Sequence, residues 1–246
     1  MVVAIIQARL GSTRLPGKVL KPINREPMLK LIINRLSYCN EVDELVIATS
    51  TSCKDDELVD WCKDNDICCY RGDEDNVLKR YYDAANKADA KIIVRVTADD
   101  PFKDPIVIDD VIRLLKKDNL DFAYNNSPPS FPEGIDTEVF TFDALSRAYK
   151  NCVSDFEKEH VTQFFYHNPS LFRMKNLSYS EDVSSIRLTV DTDEDFVFAE
   201  EIYRRLSPNK EMFFLEDILS LLKSHPELLK INESVKRSTM YVKGCN

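Results

Sequence analysis

The sequence predicts an α/β fold in which a mostly parallel, Rossmann-like sheet is flanked by helices. Through the first half of the chain, short apolar runs of strand character alternate with segments that repeat apolar residues at helical spacing. Such alternation is typical of βαβ units, which place helices on both faces of a parallel sheet. We therefore expect ligands to bind in the loops at the carboxyl ends of the strands.

The strands and helices of the first half follow one another in regular order. Strands are expected at Val2 to Ile6, Leu45 to Ala48, Ile67 to Tyr70, Ile92 to Val96 and Phe122 to Tyr124. Helices are expected at residues 27–38, 55–65, 76–88 and 105–117. The strands are short apolar runs, whereas the helices carry apolar residues three and four positions apart.

A loop rich in proline and polar residues, "NNSPPSFPEG" at residues 125–134, interrupts this alternation. Beyond it the sequence predicts strands at 135–141, 172–177 and 186–190, and helices at 143–150, 155–167, 193–206 and 214–224. We interpret residues from about 125 to 185 as a small α+β elaboration within a single domain that spans residues 1–246.

Composition argues against several classes of protein. A chain of 246 residues with a net charge of -9 and a pI near 5.0 does not suit duplex nucleic acid. It contains no apolar stretch of membrane-spanning length, and its N-terminus does not resemble a signal peptide. Seven cysteines without a CxxC pair indicate neither a disulfide framework nor a zinc site. We expect a cytoplasmic protein whose ligands are small molecules.

The first predicted strand runs directly into a loop that contains two glycines and several cations, "QARLGSTRLPGK". Five residues separate Gly11 from Gly17, and Val19 follows Lys18, so the loop is not a Walker A motif. It also lacks the later glycines of the dinucleotide-binding fingerprint. Neither common phosphate-binding motif therefore describes this loop.

The same loop can nevertheless bind several phosphate oxygens. Backbone N–H groups at residues 11–13 and the cations Arg9, Arg14 and Lys18 follow the strand end together, an arrangement that suits a triphosphate. The alternative is a solvated basic loop that ends in an ordinary Pro-Gly turn.

Six segments in series resemble the cytidylyltransferases that make CMP-sugars. They are "QARLGSTRLPGKVL", "RGDEDNVLKRYYDAA", "IIVRVTADDPFKDPIVID", "EGIDTEVF", "EKEHVTQFFY" and "RLTVDTDEDF". That family includes CMP-Kdo synthetase and acylneuraminate cytidylyltransferase, and the resemblance is closest to its spore coat polysaccharide biosynthesis branch. The resemblance implies a nucleotidyltransferase of GT-A-like fold that transfers CMP from CTP to an acceptor oxygen and releases pyrophosphate.

Nucleotidyl transfer requires the charge of the triphosphate to be neutralised, commonly by Mg²⁺ bound through one or two carboxylates. Asp99 and Asp100 follow the predicted fourth strand, and Asp191 follows the predicted strand at 186–190. The resemblance implies that Asp99 and Asp191 are the metal ligands. A turn or a helix start is the alternative reading of such aspartates, and the role of Asp100 stays open.

The resemblance also implies which residues act on the substrates. The expected catalytic residues are Arg9, Lys18, Asp99 and Asp191. The expected nucleotide-binding residues are Ala8, Arg9, Gly11, Ser12, Thr13, Arg14, Lys18, Arg71 and Arg80. The expected acceptor-binding residues are Glu133, Asp136, Glu138, Glu159 and His160, of which His160 could orient the acceptor or assist its deprotonation. The family further implies a homodimer that buries part of the elaboration.

The expected product is a CMP-activated sugar for surface polysaccharide, but three other functions remain open. The chain could be a cytidylyltransferase whose acceptor is a phosphate or phosphonate. It could be a metal-dependent glycosyltransferase, which would consume a sugar nucleotide and release no pyrophosphate. It could also be a non-catalytic nucleotide-binding regulator, although the joint presence of Lys18, Asp99 and Asp191 argues against that class.

Overall fold

A computed structural model of the chain describes residues 1–12 and 14–236. The strands are β1 Val2–Gln7, β2 Pro22–Ile23, β3 Glu26–Pro27, β4 Glu44–Ser50, β5 Cys69–Gly72, β6 Ile92–Thr97, β7 Phe122–Tyr124, β8 Glu138–Thr141 and β9 Met174–Asn176. The α-helices are α1 Met28–Leu36, α2 Asp56–Asp64, α3 Val77–Lys87, α4 Pro105–Lys117, α5 Phe142–Asn151, α6 Asp155–Glu159, α7 Gln163–His167, α8 Asp193–Leu206 and α9 Leu215–Ser224. Short 3₁₀-helices cover Lys18–Leu20, Cys53–Asp55, Pro169–Leu171, Ser207–Asn209 and Pro226–Lys230.

Seven strands form one sheet in the order β5-β4-β1-β6-β8-β7-β9. The sheet is mostly parallel, as the sequence predicts. Strand β1 pairs in parallel with both β4 and β6, and β4 pairs in parallel with β5. Strand β8 runs antiparallel to β6 and β7. Because Gln7 of β1 lies opposite Thr97 of β6, these strands end together, and the loops that follow them meet at the same edge of the sheet.

Two apolar layers cover the two faces of the sheet. Alternate residues of β1 point to opposite faces, so Ala4 and Ile6 pack in one layer while Val3 and Ile5 pack in the other. Helices α1, α2 and α4 contribute to the first layer, and α3 and α5 contribute to the second. The near-continuous apolar sequence of β1 is explained by this burial on both sides.

The elaboration adds strands to the edge of this sheet rather than standing apart from it. Strands β8 and β9 extend the sheet beyond β6, and α5 and α7 cover the second layer. A third apolar cluster joins α8 and α9 to the hairpin formed by β2 and β3 and to the buried side chains of Leu188 and Val190. That residues 1–246 form a single domain stays a prediction.

The expected strand at residues 186–190 is wrong. This segment makes one isolated bridge, between Arg187 and Glu133, and is otherwise extended without a ladder. Its alternating pattern arises because Leu188 and Val190 pack into the third cluster. Gly134 permits the close approach of the neighbouring loop, since its φ is 100° and an added Cβ would lie 2.6 Å from the backbone nitrogen of Thr189.

Two further expectations about local structure differ from what the chain forms. The helix expected at 155–167 is two short helices, α6 and α7, because Val161 between them adopts a left-handed backbone with φ of 43°. Val161 is fully buried, so tertiary packing outweighs its local preference. The hairpin of β2 and β3 was not anticipated; its turn residues Asn24 and Arg25 both have positive φ, as such two-residue turns require.

The described part of the chain contains neither a membrane-spanning helix nor a disulfide. No helix within residues 1–12 and 14–236 is both long enough and apolar enough to span a bilayer. The cysteines in these residues are free thiols. Cys245 lies outside the described residues.

Candidate active site

The loops after β1 and β6 enclose two adjoining cavities at the carboxyl edge of the sheet. The first, here called the loop cavity, has a volume of about 230 Å³ and is lined by the loop after β1. The second, here called the inner cavity, has a volume of about 210 Å³ and extends toward the elaboration. Arg14, Thr97, Asp99 and Asp191 line both cavities, so these residues mark where the two meet.

The loop after β1 is held mainly by its own backbone and by one buried carboxylate. The N–H of Ser12 donates to the carbonyl of Leu10 at 2.9 Å, so this N–H is already used within the loop. Asp55 accepts from the N–H of Leu10 at 2.8 Å, and hydrogen bonds from Ser50 and Leu10 hold the pKa of Asp55 below its usual value although burial opposes them. Gly17 ends the loop in a left-handed conformation with φ of 68°.

The predicted nucleotide-binding residues of this loop are only partly brought together. Of these predicted residues, five line the loop cavity, namely Arg9, Gly11, Ser12, Arg14 and Lys18. Ala8 instead packs in the apolar core and is 2% exposed. Thr13 lies outside the described residues.

Lys18 lies between the two predicted metal ligands. Its Nζ donates to Asp99 Oδ2 at 3.1 Å, to Asp191 Oδ1 at 2.9 Å and to the carbonyl of Val190 at 2.7 Å. These three bonds use all three N–H groups of the ammonium. We expected Lys18 to present its charge to phosphate oxygens, whereas here its charge is directed to the carboxylates.

The charges of this cluster stabilise one another. Burial alone would lower the pKa of Lys18, but Asp99 and Asp191 outweigh burial and raise it. Burial alone would raise the pKa of Asp99, but the charge of Lys18 and its hydrogen bond to Asp99 lower it. At neutral pH the lysine is therefore cationic and Asp99 is anionic.

Carboxylate geometry is compatible with a divalent cation. Asp99 Oδ2 and Asp191 Oδ1 both lie about one hydrogen-bond length from the same nitrogen, so they converge on one point. Mg²⁺ commonly binds one or two carboxylates and completes its shell with water and phosphate oxygens. Among the described residues no group of three or more His, Cys, Asp or Glu side chains could enclose a metal ion, so a cation here would need oxygens from a ligand.

Arg80 and Arg9 form a second cationic feature. Arg80 is 1% exposed, and its Nη1 donates to the carbonyls of Asp73 and Glu74. Its Nε and Nη2 have no hydrogen-bond partner in the part of the chain that the structure describes. Burial, together with the nearby charge of Arg9, lowers the pKa of Arg80. Buried donors without acceptors beside a second cation favour an anionic ligand.

Arg71 does not join this cluster. Its guanidinium donates to the carbonyls of Ser50 and Ser52 at 2.9 and 2.8 Å and pairs with Asp56 at 2.7 Å. None of these partners lines the loop cavity. The position of Arg71 therefore does not support the expected contact with the nucleotide. Its side chain instead joins β5 to the end of β4 by hydrogen bonds.

Four of the five predicted acceptor-binding residues line the inner cavity; they are Glu133, Asp136, Glu138 and His160. Glu138 accepts from Arg95 at 2.7 Å and from the hydroxyl of Tyr166 at 2.9 Å. Glu159 is the exception. It lines a separate cavity of about 400 Å³ together with Arg9 and residues 73–76, so the structure does not bring it together with the other four.

The floor of the inner cavity contains a buried ion pair that the sequence did not indicate. Asp100 accepts from the hydroxyl of Thr97 at 2.8 Å and pairs with Lys103 at 2.9 Å. Burial and the nearby Asp99 raise the pKa of Asp100, while Lys103 opposes this shift. Lys103 also donates to the carbonyl of Asp136. Asp100 thus anchors the loop that carries Asp99.

Sequence reasoning also missed Arg187. This side chain is 7% exposed and contacts three carboxylates, those of Glu133, Asp191 and Asp195. The only signal in the sequence was an arginine inside an apolar run, four residues before Asp191. Its partners lie in separate segments, so their convergence could not be deduced from spacing.

Comparison with known proteins identifies the family of this chain. A family model described as cytidylyltransferase matches residues 3–233. The chain belongs to the cytidylyltransferase family. The family expected from the sequence motifs is therefore confirmed.

Individual relatives of this cytidylyltransferase cover nearly its whole length. It is 34% identical over 242 residues to an uncharacterized protein of Methanocaldococcus jannaschii, with 97% of each chain covered. It is 33% identical over 233 residues to the spore coat polysaccharide biosynthesis protein SpsF of Bacillus subtilis, with 92% of this chain and 95% of that one covered. A solved cytidylyltransferase structure from Leptospira borgpetersenii has a TM-score of 0.89 at 29% identity, with 96% of this chain and 99% of that one covered. The predicted fold class is confirmed.

The protonation of His160 leads to a testable pH dependence. Burial lowers the pKa of His160 and Arg95 adds to this, while Glu159 opposes it, so the imidazole is neutral at pH 7. If it accepts the acceptor proton, kcat/KM for the acceptor should fall about tenfold per pH unit once the pH drops below the histidine pKa. The His160→Gln variant should lose this acidic limb, as measured from pH–rate profiles.

His225 provides the matched control for this experiment. Its side chain is 43% exposed, pairs with Glu227 at 3.2 Å and lies outside both cavities. His225→Gln should keep the wild-type profile. An acidic limb that persists unchanged in His160→Gln would contradict a proton-accepting role for His160.

Proposed function

We propose that the protein is a Mg²⁺-dependent cytidylyltransferase that transfers CMP from CTP to an acceptor oxygen and releases pyrophosphate. One observation carries the proposal: Asp99 and Asp191, bridged by Lys18, lie where the loop cavity meets the inner cavity. A triphosphate in the first cavity and an acceptor in the second would bring the α-phosphate and the attacking oxygen together at these carboxylates. Positioning of this kind supplies much of the rate enhancement in phosphoryl transfer.

The triphosphate is proposed to lie against the cations around the loop cavity. Arg9 and Arg14 are exposed there, and Arg14 also pairs with Asp191 at 2.9 Å. Arg80 does not line this cavity, but it lies near Arg9 and has buried N–H groups without acceptors among the described residues. Phosphate oxygens would supply those acceptors, and charge-assisted hydrogen bonds of this type are strong. These groups would bind and orient CTP independently of the strand-end carboxylates.

In the proposed reaction the acceptor oxygen forms a bond to the α-phosphorus of CTP. The bond between that phosphorus and the bridging oxygen to the β-phosphate breaks, and pyrophosphate leaves with the electron pair. The acceptor proton passes to His160 or to water. Asp99 and Asp191 would hold Mg²⁺, which when bound supplies positive charge at the phosphate oxygens. Lys18 would keep the two carboxylates together.

The acceptor is proposed to be a sugar, and the product a CMP-sugar for surface polysaccharide made in the cytoplasm. This step rests on likeness to SpsF, whose name places it in spore coat polysaccharide biosynthesis, over 92% of this chain. The polar lining of the inner cavity, with carboxylates and threonine hydroxyls, is compatible with a polyhydroxylated acceptor. A phosphate or phosphonate acceptor is the alternative outcome of the test below.

Pyrophosphate release with each of CTP, UTP, ATP and GTP tests the reaction. With Mg²⁺ present we expect CTP to be the preferred nucleotide, and release should require a sugar acceptor. The panel should also contain phosphorylated and phosphonate acceptors, and mass spectrometry should identify the product. Equal rates with all four triphosphates would contradict the proposal, and release with none would favour a glycosyltransferase or a regulator.

Replacing Asp99 by Asn separates chemistry from nucleotide binding. The change keeps the size of the side chain but removes a ligand charge, so turnover should fall by roughly 10²-fold or more. CTP affinity measured by calorimetry should weaken much less, because Arg9 and Arg80 would still contact the phosphates. Asp193→Asn is the matched control, since this aspartate is 81% exposed in its side chain and lies near the site without lining it. Near-normal turnover of Asp99→Asn at saturating CTP and Mg²⁺ would argue that Asp99 is only a turn residue.

The protein is also proposed to be a homodimer that buries part of the elaboration. Three large apolar side chains of this region are exposed, namely Val153 at 86%, Phe156 at 45% and Leu171 at 52%. Burial of such side chains against a second copy is favourable. Light scattering at micromolar concentration should give about twice the 28.4 kDa mass of the chain. A monomer under those conditions would contradict the proposal, and Val153→Asp should shift a dimer toward monomer.

A further inference from the structure

The guanidinium of Arg187 is the centre of a buried ionic network beside the proposed metal site. Its Nη1 donates to Glu133 Oε2 at 2.7 Å, and its Nη2 donates to Asp191 Oδ2 at 3.0 Å. Nε and Nη2 together form a two-bond fork to Asp195, at 2.9 and 3.0 Å. The guanidinium is thereby shared among three segments, namely the loop before β8, the extended segment after residue 186, and the first turn of α8.

This network determines which oxygen of Asp191 contacts Lys18, the side chain that also contacts Asp99. Arg187 binds Oδ2 of Asp191, whereas Lys18 binds Oδ1 at 2.9 Å. Asp195 adds a backbone constraint, because its Oδ2 accepts from the N–H of Asp191 at 3.0 Å. With its main chain and one carboxylate oxygen held, Asp191 presents its other oxygen to Lys18, and Arg14 pairs with that same oxygen at 2.9 Å.

The same guanidinium connects the inner cavity to the metal site. Glu133 lines the inner cavity and is held by Arg187 through a short charge-assisted bond. The backbones of these two residues are also bridged, since the N–H of Leu188 donates to the carbonyl of Glu133 at 2.7 Å. A displacement of Arg187 would therefore move a wall of the inner cavity together with Asp191.

We propose that Arg187 is a positioning residue for this enzyme, which orients Asp191 for metal binding and fixes Glu133 on the inner-cavity wall. The inference rests on the proposed function, since it requires Asp99 and Asp191 to bind the cation. The planar fork of arginine is essential to this role, because it holds several carboxylates in fixed directions, whereas an ammonium acts as a point charge. Charge at position 187 alone is therefore not sufficient.

Arg187→Lys tests geometry while it keeps the charge. Binding of Mn²⁺ to the full-length protein in the presence of CTP and the absence of acceptor, followed by electron paramagnetic resonance, should weaken by about 10-fold or more, as is usual when the partner of a metal ligand is changed. In pyrophosphate release, the Mg²⁺ concentration for half-maximal rate and the acceptor KM should both rise. CTP affinity should change little, because Arg187 does not line the loop cavity.

Arg35→Lys is the matched control for loss of a buried fork. Arg35 is 3% exposed and donates to the carbonyls of Lys103 and Phe213 at 2.6 and 2.9 Å, but it contacts neither Asp99 nor Asp191. Both variants should lower the melting temperature, while only Arg187→Lys should weaken Mn²⁺ binding. Equal weakening of Mn²⁺ binding in the two variants would mean that the effect comes from general destabilisation, and it would overturn the positioning role.

Asp195→Asn provides a second test if Arg187→Lys does not fold. Asp195 has a fully buried side chain and reaches the site only through Arg187 and the backbone of residues 191 and 192. We expect weaker Mn²⁺ binding in the same direction, by a smaller factor, because Arg187 would still contact Asp191. Wild-type Mn²⁺ affinity in the folded Arg187 and Asp195 variants would overturn the positioning role of Arg187 and would leave the proposed function standing.

Asp99→Asn distinguishes this failure from failure of the proposed function. If Asp99→Asn weakens Mn²⁺ binding and the Arg187 and Asp195 variants do not, the metal site stands and the positioning role falls. If Asp99→Asn leaves Mn²⁺ binding unchanged, the proposed metal site and the inference fall together.

Discussion

Two carboxylates that repel each other have to be held at one point, and the site depends on the cation that holds them. Lys18 is 81 residues from Asp99 and 173 residues from Asp191 in the sequence, yet its ammonium bonds to both. Without it, the two negative charges would repel each other at close range. The loop after β1 therefore serves the carboxylates as well as the proposed nucleotide, because it carries Lys18.

The ionic network around Arg187 orients Asp191 more than it adds to the stability of the fold. Burying Arg187 with three carboxylates removes four charges from water, and such desolvation is repaid only where geometry is good. The geometry is good here, since each bond is between 2.7 and 3.0 Å. An apolar replacement of the same volume could give equal stability, but it could not orient Asp191. The network is more readily explained by the direction of one carboxylate than by the free energy of unfolding.

The sequence predicted the parts of the fold that depend on local pattern. Apolar runs and helical spacing located the strands and helices up to residue 124, because each is buried on the faces that its own pattern implies. The pattern failed at 186–190, where burial against α8 and α9 produces strand-like alternation without a partner strand. It failed again at Val161, where packing overrides the local preference. In the site, motif resemblance brought Asp99 and Asp191 together, but Arg187 and Lys103 become visible only through contacts between distant segments.

Charge pairing in the inner cavity bears on how an acceptor is recognised. Glu138 pairs with Arg95, Asp100 with Lys103, and Glu133 with Arg187, so these charges are largely neutralised within the protein. An acceptor that relied on a strong ion pair would have to break one of these contacts, which is costly for groups buried to this degree. Hydroxyl groups have no such cost, because a paired carboxylate oxygen can still accept a further hydrogen bond. The arrangement therefore favours recognition of a sugar by its pattern of hydroxyls.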